Sequence, residues 1–156
     1  MEYVTLGKTG LRVSVAGLGC GGNSRLGLGK GKTEAEAIAL VRQALDMGVN
    51  LLDTAPVYGT EALVGKAIQA MRRDEVVVST KALIPHADIP SRPTRVVESL
   101  DNSLRQLDID FIDVFQLHGV PPSAYDHALR EIAPVLLREK EKGKFRHLGI
   151  TETSPN

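Results

Sequence analysis

Hydrophobic and polar positions along the chain alternate between short apolar runs and longer segments with helical spacing. Each apolar run is bounded by glycine or polar residues and predicts a buried strand. The segments between the runs carry apolar residues three or four positions apart, which predicts amphipathic helices. The predicted strands span 13–19, 49–54, 75–81, 110–118 and 145–151, and the helices span a segment beginning after Thr33 and then 61–73, 94–107 and 127–143.

Local signals mark where several of these elements begin or break. Thr33, with Glu36 three residues later, forms a capping box that predicts a helix start. Pro93 precedes the third helix and suits its first turn. Pro134 interrupts the fourth helix and should kink it or split it in two. The first dozen residues, with a Thr-Gly pair at 9–10, predict a small hairpin before the first strand.

Strands that alternate with helices predict an α/β fold with a parallel sheet. Two architectures are compatible with this order: an open doubly wound sheet, and a (β/α) barrel cut short after its fifth strand. No linker or low-complexity tract divides the chain, so we expect one domain over residues 1–156.

Composition restricts the function classes. Hydrophobic residues make up 42% of the 156 residues, charged residues 24%, and the formal net charge is zero. This balance is typical of globular proteins and gives no electrostatic reason to expect nucleic acid or a membrane as partner. With one cysteine, no long apolar run and no apolar signal-peptide core, we expect a cytoplasmic protein. No CxxC, HExxH or carboxylate cluster predicts a metal site.

The glycine-rich stretch 17–33 resembles two phosphate-binding motifs without completing either. Gly17, Gly19 and Gly22 match GxGxxG, but that motif requires a helix immediately afterwards, and the predicted helix starts only at Thr33. A P-loop ending at Thr33 would need glycine where the chain has Leu26. A loop above the first strand is the simpler interpretation.

Four polar residues fall at or just after predicted strand ends. Asp53 ends the second strand, Tyr58 follows in the next loop, Lys81 closes the third strand and His118 closes the fourth. Parallel strands of a βα array open onto one face, so we expect these side chains to converge there. A lysine cation stabilises a phenolate, and an aspartate holds the cation, so the tyrosine could act as general acid toward a carbonyl oxygen. Each residue taken alone could instead be structural.

Several segments that contain these residues resemble the aldo-keto reductase family. LLDTAPVYG resembles the segment with the family's Asp and Tyr, VVVSTK the strand with its Lys, and SLRQLDIDFIDVFQLH the helix and strand that end in its His. The opening YVTLGKTGLRVSVAGLG resembles the N-terminal hairpin and first strand, and KGKFRHLGIT the fifth strand. The resemblance covers essentially the whole chain.

This resemblance implies a partial (β/α)8 TIM barrel, about its first five βα units, that uses NADP(H) to reduce an aldehyde or ketone, or to oxidise an alcohol or sugar. It implies Tyr58 as proton donor, Lys81 and Asp53 as residues that tune it, and His118 as a residue that places the substrate carbonyl. Gly22 in the first βα loop, Asp53 and Thr151 are the implied cofactor contacts, with Thr151 at a position where the family commonly has serine. His86, in the loop after the third strand, is either a wall of the substrate pocket or a solvent-exposed residue.

A complete barrel has eight strands and roughly 250 residues, so the first and fifth strands should be unpaired edges. Exposed edges favour association, and our hypothesis is that two copies pair through them. Two other functions stay open at this point: a non-catalytic binding or regulatory module on the same scaffold, and a doubly wound nucleotide-binding domain that uses the glycine loop.

Overall fold

A small antiparallel hairpin precedes the main sheet, as the sequence predicts. The structure is a computed structural model and describes residues 1–83 and 93–152. Strand β1 (Tyr3–Thr5) pairs antiparallel with β2 (Arg12–Ser14), with Val4 opposite Val13. Between them, Gly10 has a φ of 74°, a left-handed conformation that glycine adopts without steric cost.

The main sheet has five parallel strands in the order of the chain. They are β3 (Leu18–Gly19), β4 (Leu51–Asp53), β5 (Val77–Leu83), β6 (Ile112–Val120) and β7 (Phe145–Glu152), and each pairs with the next. A doubly wound sheet reverses its strand order at a switch point. Consecutive order without reversal is instead the order of a (β/α) barrel, so the partial barrel is confirmed and the doubly wound alternative is wrong.

The first strand predicted from the sequence, residues 13–19, is longer than the strand in the structure. Residues 13–19 do not form one strand, because Ser14 ends β2 while only Leu18–Gly19 joins the sheet. Ser14 is held in place by Asn50: its amide donates to Asn50 Oδ1 at 2.6 Å, and the Asn50 amide donates to Ser14 Oγ at 3.0 Å. The Ser14 hydroxyl also bonds the carbonyl of Ala16 at 2.7 Å, turning the chain out of the hairpin before it enters the sheet.

Helices connect the strands and pack on one face of the sheet. The Thr33 capping box is present, with the Glu36 amide donating to Thr33 Oγ1 and the Thr33 amide donating back to the Glu36 carboxylate. The fourth helical segment is split as expected, since a π-helical turn (Ala128–Ile132) precedes a helix that has Pro134 in its first turn. The helices are α1 (Glu34–Asp46), α2 (Glu61–Ile68), α3 (Pro93–Leu107), α4 (Tyr125–His127) and α5 (Ala133–Glu141).

The hydrophobic core lies between the sheet and these helices. Leu52, Val78 and Phe115 are fully buried, and the Phe115 ring lies 5.5 Å from that of Phe145 between centroids. Because side chains alternate along a strand, the opposite face carries the intervening residues, which include Asp53, Lys81 and His118. The face turned away from the helices therefore holds the candidate chemistry.

One buried carboxylate ties three strands together near their amino ends. Asp113 in β6 is 1% exposed and accepts from Arg73 at 2.6 Å, from Arg146 of β7 at 3.1 Å and from the Val78 amide of β5 at 2.9 Å. A buried carboxylate needs such partners to offset its desolvation. The cluster lies at the strand end opposite to the candidate site, so we assign it a stabilising role.

Candidate active site

Asp53 and Lys81 form a direct ion pair on the polar face of the sheet. Asp53 is opposite Ser79 in the register of β4 and β5, and Lys81 lies two residues further along β5, on the same face. Lys81 Nζ donates to Asp53 Oδ2 at 2.6 Å and to the Thr54 carbonyl at 2.9 Å. The lysine side chain is 5% exposed and the aspartate 41%, so the buried cation depends on these two acceptors.

Tyr58 lies beside this pair in a short 3₁₀ turn, Pro56–Tyr58, which follows β4. Gly59 ends the turn with a φ of 66°, so the chain reverses directly after the tyrosine. Lys81 Nζ lies 5.1 Å from the centroid of the Tyr58 ring, within the range of a cation–π interaction. The predicted neighbourhood of phenol, ammonium and carboxylate is therefore present in the structure.

His118 completes the group from β6. Its ring lies 5.8 Å from the Tyr58 ring, edge to face at 86°. Burial, and then the nearby Lys81 cation, lower the pKa of His118 below the usual 6.5, although Asp53 partly opposes this. The imidazole is therefore neutral at neutral pH, and its buried Nδ1 has no hydrogen-bond partner among the described residues.

Two details of the predicted placement differ from the structure. Lys81 and His118 do not close their strands, because β5 continues to Leu83 and β6 to Val120. Both residues nevertheless lie near the carboxyl ends, and His118 is opposite Leu83 in the register. His86 lies outside the described residues.

Besides Asp53, the expected cofactor contacts are Thr151 in a strand and Gly22 in a loop. Thr151 in β7 accepts a hydrogen bond from the Gly119 amide at 2.8 Å, next to His118, so its hydroxyl proton can be directed to another acceptor. Gly22 lies in the loop after β3 with a φ of 68°, and a side chain there would meet open space. No helix starts at these glycines, since α1 begins at Glu34, and the GxGxxG interpretation is wrong.

Gly21, which the sequence did not single out, shapes the position of Tyr58. A Cβ atom on Gly21 would lie 2.7 Å from two carbons of the Tyr58 ring, closer than real carbon contacts. Only a glycine lets the loop after β3 pack this closely on the tyrosine. The pattern of glycines in the sequence gave no means of choosing it from its neighbours.

Cys20 lies behind the site and is not available to it. The thiol is fully buried, and its backbone amide donates to the Asp53 carbonyl at 2.8 Å. Burial, with a smaller contribution from the Asp53 charge, raises the pKa of Cys20 to about 12. A thiol in this environment is a packing group.

Ser79 and Gln116 also belong to the polar face, although the sequence interpretation missed them. Ser79 Oγ donates to Asp53 Oδ1 at 3.1 Å, and Gln116 Nε2 donates to Ser79 Oγ at 2.8 Å. Each lies two residues before a predicted site residue in the same strand, Ser79 before Lys81 and Gln116 before His118. The two-residue period of strands was the signal that could have identified them.

Within residues 1–83 and 93–152, no cluster of three or more His, Cys, Asp or Glu side chains could hold a metal ion. Over the same ranges, no helix has the length and apolar character needed to span a bilayer.

The sequence is also similar to a known protein family. The sequence model of the Aldo/keto reductase family matches residues 17–156. The chain belongs to this family. Among similar curated proteins, L-galactose dehydrogenase of Arabidopsis thaliana is 36% identical over 157 residues and aldo-keto reductase YhdN of Bacillus subtilis (strain 168) is 36% identical over 169 residues. The alignments cover 97% and 99% of this chain but 48% of each aldo-keto reductase relative, so the chain spans about half their length.

Solved structures of aldo-keto reductases give the same result. The holo form of AKR11C1 from Bacillus halodurans superposes with a TM-score of 0.81 at 30% identity, over 99% of this chain and 51% of the other. The thermostable aldo-keto reductase Tm1743, in complex with the inhibitor epalrestat, superposes with a TM-score of 0.78 at 30% identity, over 96% of this chain and 53% of the other. The fold described above is thus about half of an aldo-keto reductase barrel.

Proposed function

We propose that the chain is the N-terminal half of an NADP(H)-dependent aldo-keto reductase that interconverts a carbonyl compound and its alcohol. The observation that supports this most directly is the convergence of Asp53, Tyr58, Lys81 and His118 from four separate segments onto one face. We take residues 1–156 as one domain with these four as its catalytic group. The cytoplasm remains the compartment we expect.

Proton transfer is the step that this chain's own residues would perform. When bound, the nicotinamide cofactor supplies the hydride that the carbonyl carbon accepts. Tyr58 gives its hydroxyl proton to the carbonyl oxygen, which becomes the alcohol oxygen, and is left as a phenolate. Lys81, 5.1 Å from the Tyr58 ring, stabilises that negative charge, and Asp53 keeps the ammonium in place. Alcohol oxidation reverses each of these transfers.

His118 would orient the carbonyl oxygen through a hydrogen bond from a neutral imidazole. A neutral imidazole carries one donor and one acceptor nitrogen, so it can direct a hydrogen bond at the substrate oxygen. A protonated imidazole beside the Lys81 cation would be repelled, in agreement with the lowered pKa of His118. The edge-to-face contact with Tyr58 keeps both donors directed to one place.

The residues present fit the nicotinamide end of NADP(H). The space open at Gly22 and the Thr151 hydroxyl proton are what a polar ring bound against the Asp53 side of the sheet would meet. We therefore assign Gly22, Asp53 and Thr151 as cofactor contacts. The choice of NADP(H) over NAD(H) rests on the family resemblance alone.

The substrate is a small aldehyde or ketone, or the matching alcohol or sugar. A relative named L-galactose dehydrogenase supports testing aldoses first. Because β3 and β7 each pair on one side only in the described sheet, we also propose that two copies associate through these edges. A sedimentation measurement that shows a stable monomer at micromolar concentration would contradict the association.

Titration of the purified chain with NADPH, followed by turnover on a panel of aldoses and aldehydes, tests the function. Tyr58→Phe should keep cofactor binding and lose turnover, while Tyr3→Phe, which alters a tyrosine in the distant hairpin, should keep both. Saturable binding without turnover in the unaltered chain would favour the non-catalytic binding module. Turnover that survives Tyr58→Phe would contradict the assignment of the proton donor.

A further inference from the structure

We infer that Ser79 and Gln116 are positioning residues, which fix the Asp53 carboxylate through a chain of hydrogen bonds and so hold Lys81 beside Tyr58. This inference rests on the proposed function for its catalytic meaning. The hydrogen-bond chain itself is a property of the structure and can be tested separately.

The chain of hydrogen bonds runs across three strands. Gln116 Nε2 in β6 donates to Ser79 Oγ in β5 at 2.8 Å, and Ser79 Oγ donates to Asp53 Oδ1 in β4 at 3.1 Å. The other carboxylate oxygen, Oδ2, accepts from Lys81 Nζ at 2.6 Å. Both oxygens of Asp53 are therefore engaged, and rotation of the carboxylate would break one bond to satisfy the other.

The direction of each hydrogen bond follows from the chemistry of the groups. An ionised carboxylate only accepts, so the single hydroxyl proton of Ser79 points to Asp53. The hydroxyl oxygen must then accept from its other neighbour, which fixes the amide group of Gln116 with its nitrogen toward the serine. Bonds to a charged group are stronger than neutral ones, so the serine contact should matter more than the glutamine contact.

Space for Gln116 comes from a glycine in the next strand. Gly149 in β7 is opposite Gln116 in the register, and a Cβ atom on it would lie 3.0 Å from Gln116 Cγ. A side chain at Gly149 would push the glutamine along the sheet, away from the 2.8 Å contact with Ser79. Four adjacent strands therefore contribute to the position of one carboxylate.

The Lys81 ammonium gives a direct readout of this arrangement. An ammonium held by Asp53 and the Thr54 carbonyl exchanges its protons slowly with water, and its ¹H–¹⁵N signal is then visible by NMR. Ser79→Ala should speed that exchange by about tenfold, because it removes a bond to a charged group. Gln116→Leu should speed it by about threefold, and Ser79→Thr, which keeps a hydroxyl, should restore the slow rate.

The double variant Ser79→Ala with Gln116→Leu tests whether Gln116 acts on Asp53 through Ser79. If Gln116 acts through Ser79, then Gln116→Leu should add nothing in the Ser79→Ala background. Gln43→Ala, at an exposed glutamine of α1, is the matched control and should leave the rate unchanged. Where turnover is measurable, Ser79→Ala should lower kcat and leave KM nearly unchanged.

The proposal would be overturned if the Lys81 ammonium exchanges at an unchanged rate in both Ser79→Ala and Gln116→Leu. It would also be overturned if Gln116→Leu speeds the exchange by about threefold in the Ser79→Ala background. If Ser79→Ala does not fold, the exchange rate in Gln116→Leu decides: faster exchange supports the proposal and an unchanged rate overturns it. The ammonium signal needs neither cofactor nor turnover, so a failure of cofactor binding and turnover counts against the proposed function alone, while the exchange rates still decide this inference.

Discussion

Gly21→Ala should displace the Tyr58 ring without straining the backbone. Gly21 does not have a positive φ, so alanine can adopt its backbone conformation. The new methyl group, however, would lie 2.7 Å from two carbons of the Tyr58 ring. Since carbon atoms pack at about 3.5–4.0 Å, the ring must retreat by about 1 Å. Overpacking of this kind costs about 1–3 kcal/mol of stability. A misplacement of about 1 Å in a catalytic group can cost roughly 10²-fold in turnover.

One measurement and one control variant separate ring displacement from general damage. The ring signals of Tyr58 and His118 should shift together in NMR spectra, because the two rings meet edge to face. Gly19→Ala is the matched control, since a Cβ there meets nothing within 4 Å and the residue has no positive φ. Unchanged ring signals together with unchanged turnover in Gly21→Ala would refute the packing argument.

Four further outcomes follow from charge and burial. Lys81→Met should raise the pKa of His118, because the cation that lowers it is removed while its counterion stays. In the unaltered chain, the lowered pKa of His118 makes the free energy of unfolding decrease as the pH falls below the usual value of 6.5. His118→Gln should reduce this decrease, because the titrating group is removed. Cys20, with a pKa of about 12, should resist thiol reagents until the chain is unfolded. Asp113→Asn should lower the free energy of unfolding by about 3 kcal/mol, near the low end for a broken buried pair, since its arginine partners are partly exposed.

Direct measurements test these outcomes. NMR titration of the imidazole measures His118 directly, and a midpoint that falls in Lys81→Met would contradict the electrostatic account. Rapid labelling of Cys20 in the folded chain would contradict its burial. Denaturant unfolding compares Asp113→Asn with Asp74→Asn at an exposed ion pair, and equal effects of the two would show that burial of Asp113 contributes nothing.

Local signals predicted the element types because each has a mechanism within a few residues. The Thr33–Glu36 capping box and the split at Pro134 both appear where the sequence placed them. The first strand was misjudged because its end is set by Asn50, a residue 36 positions from Ser14 along the chain. A contact of that range leaves no trace in the pattern of residues 13–19.

The charged members of the site were predictable because parallel strands deliver their carboxyl ends to one edge. Asp53, Lys81 and the Tyr58 loop converge for that reason. Ser79 and Gln116 were missed since a serine or glutamine within a strand is unremarkable until its partner across the sheet is known. Gly21 was missed because its importance comes from packing against the Tyr58 ring, a contact that no sequence pattern shows.

The consecutive strand order has a consequence for how the chain folds during synthesis. Each strand of the main sheet pairs with the one made just before it, so no pairing waits for a distant segment. Contacts of short sequence separation form faster than remote ones, and chains emerge from the ribosome amino end first. The sheet can therefore grow at a single edge as translation proceeds, one βα unit at a time, with β7 as the strand onto which any later unit would be added.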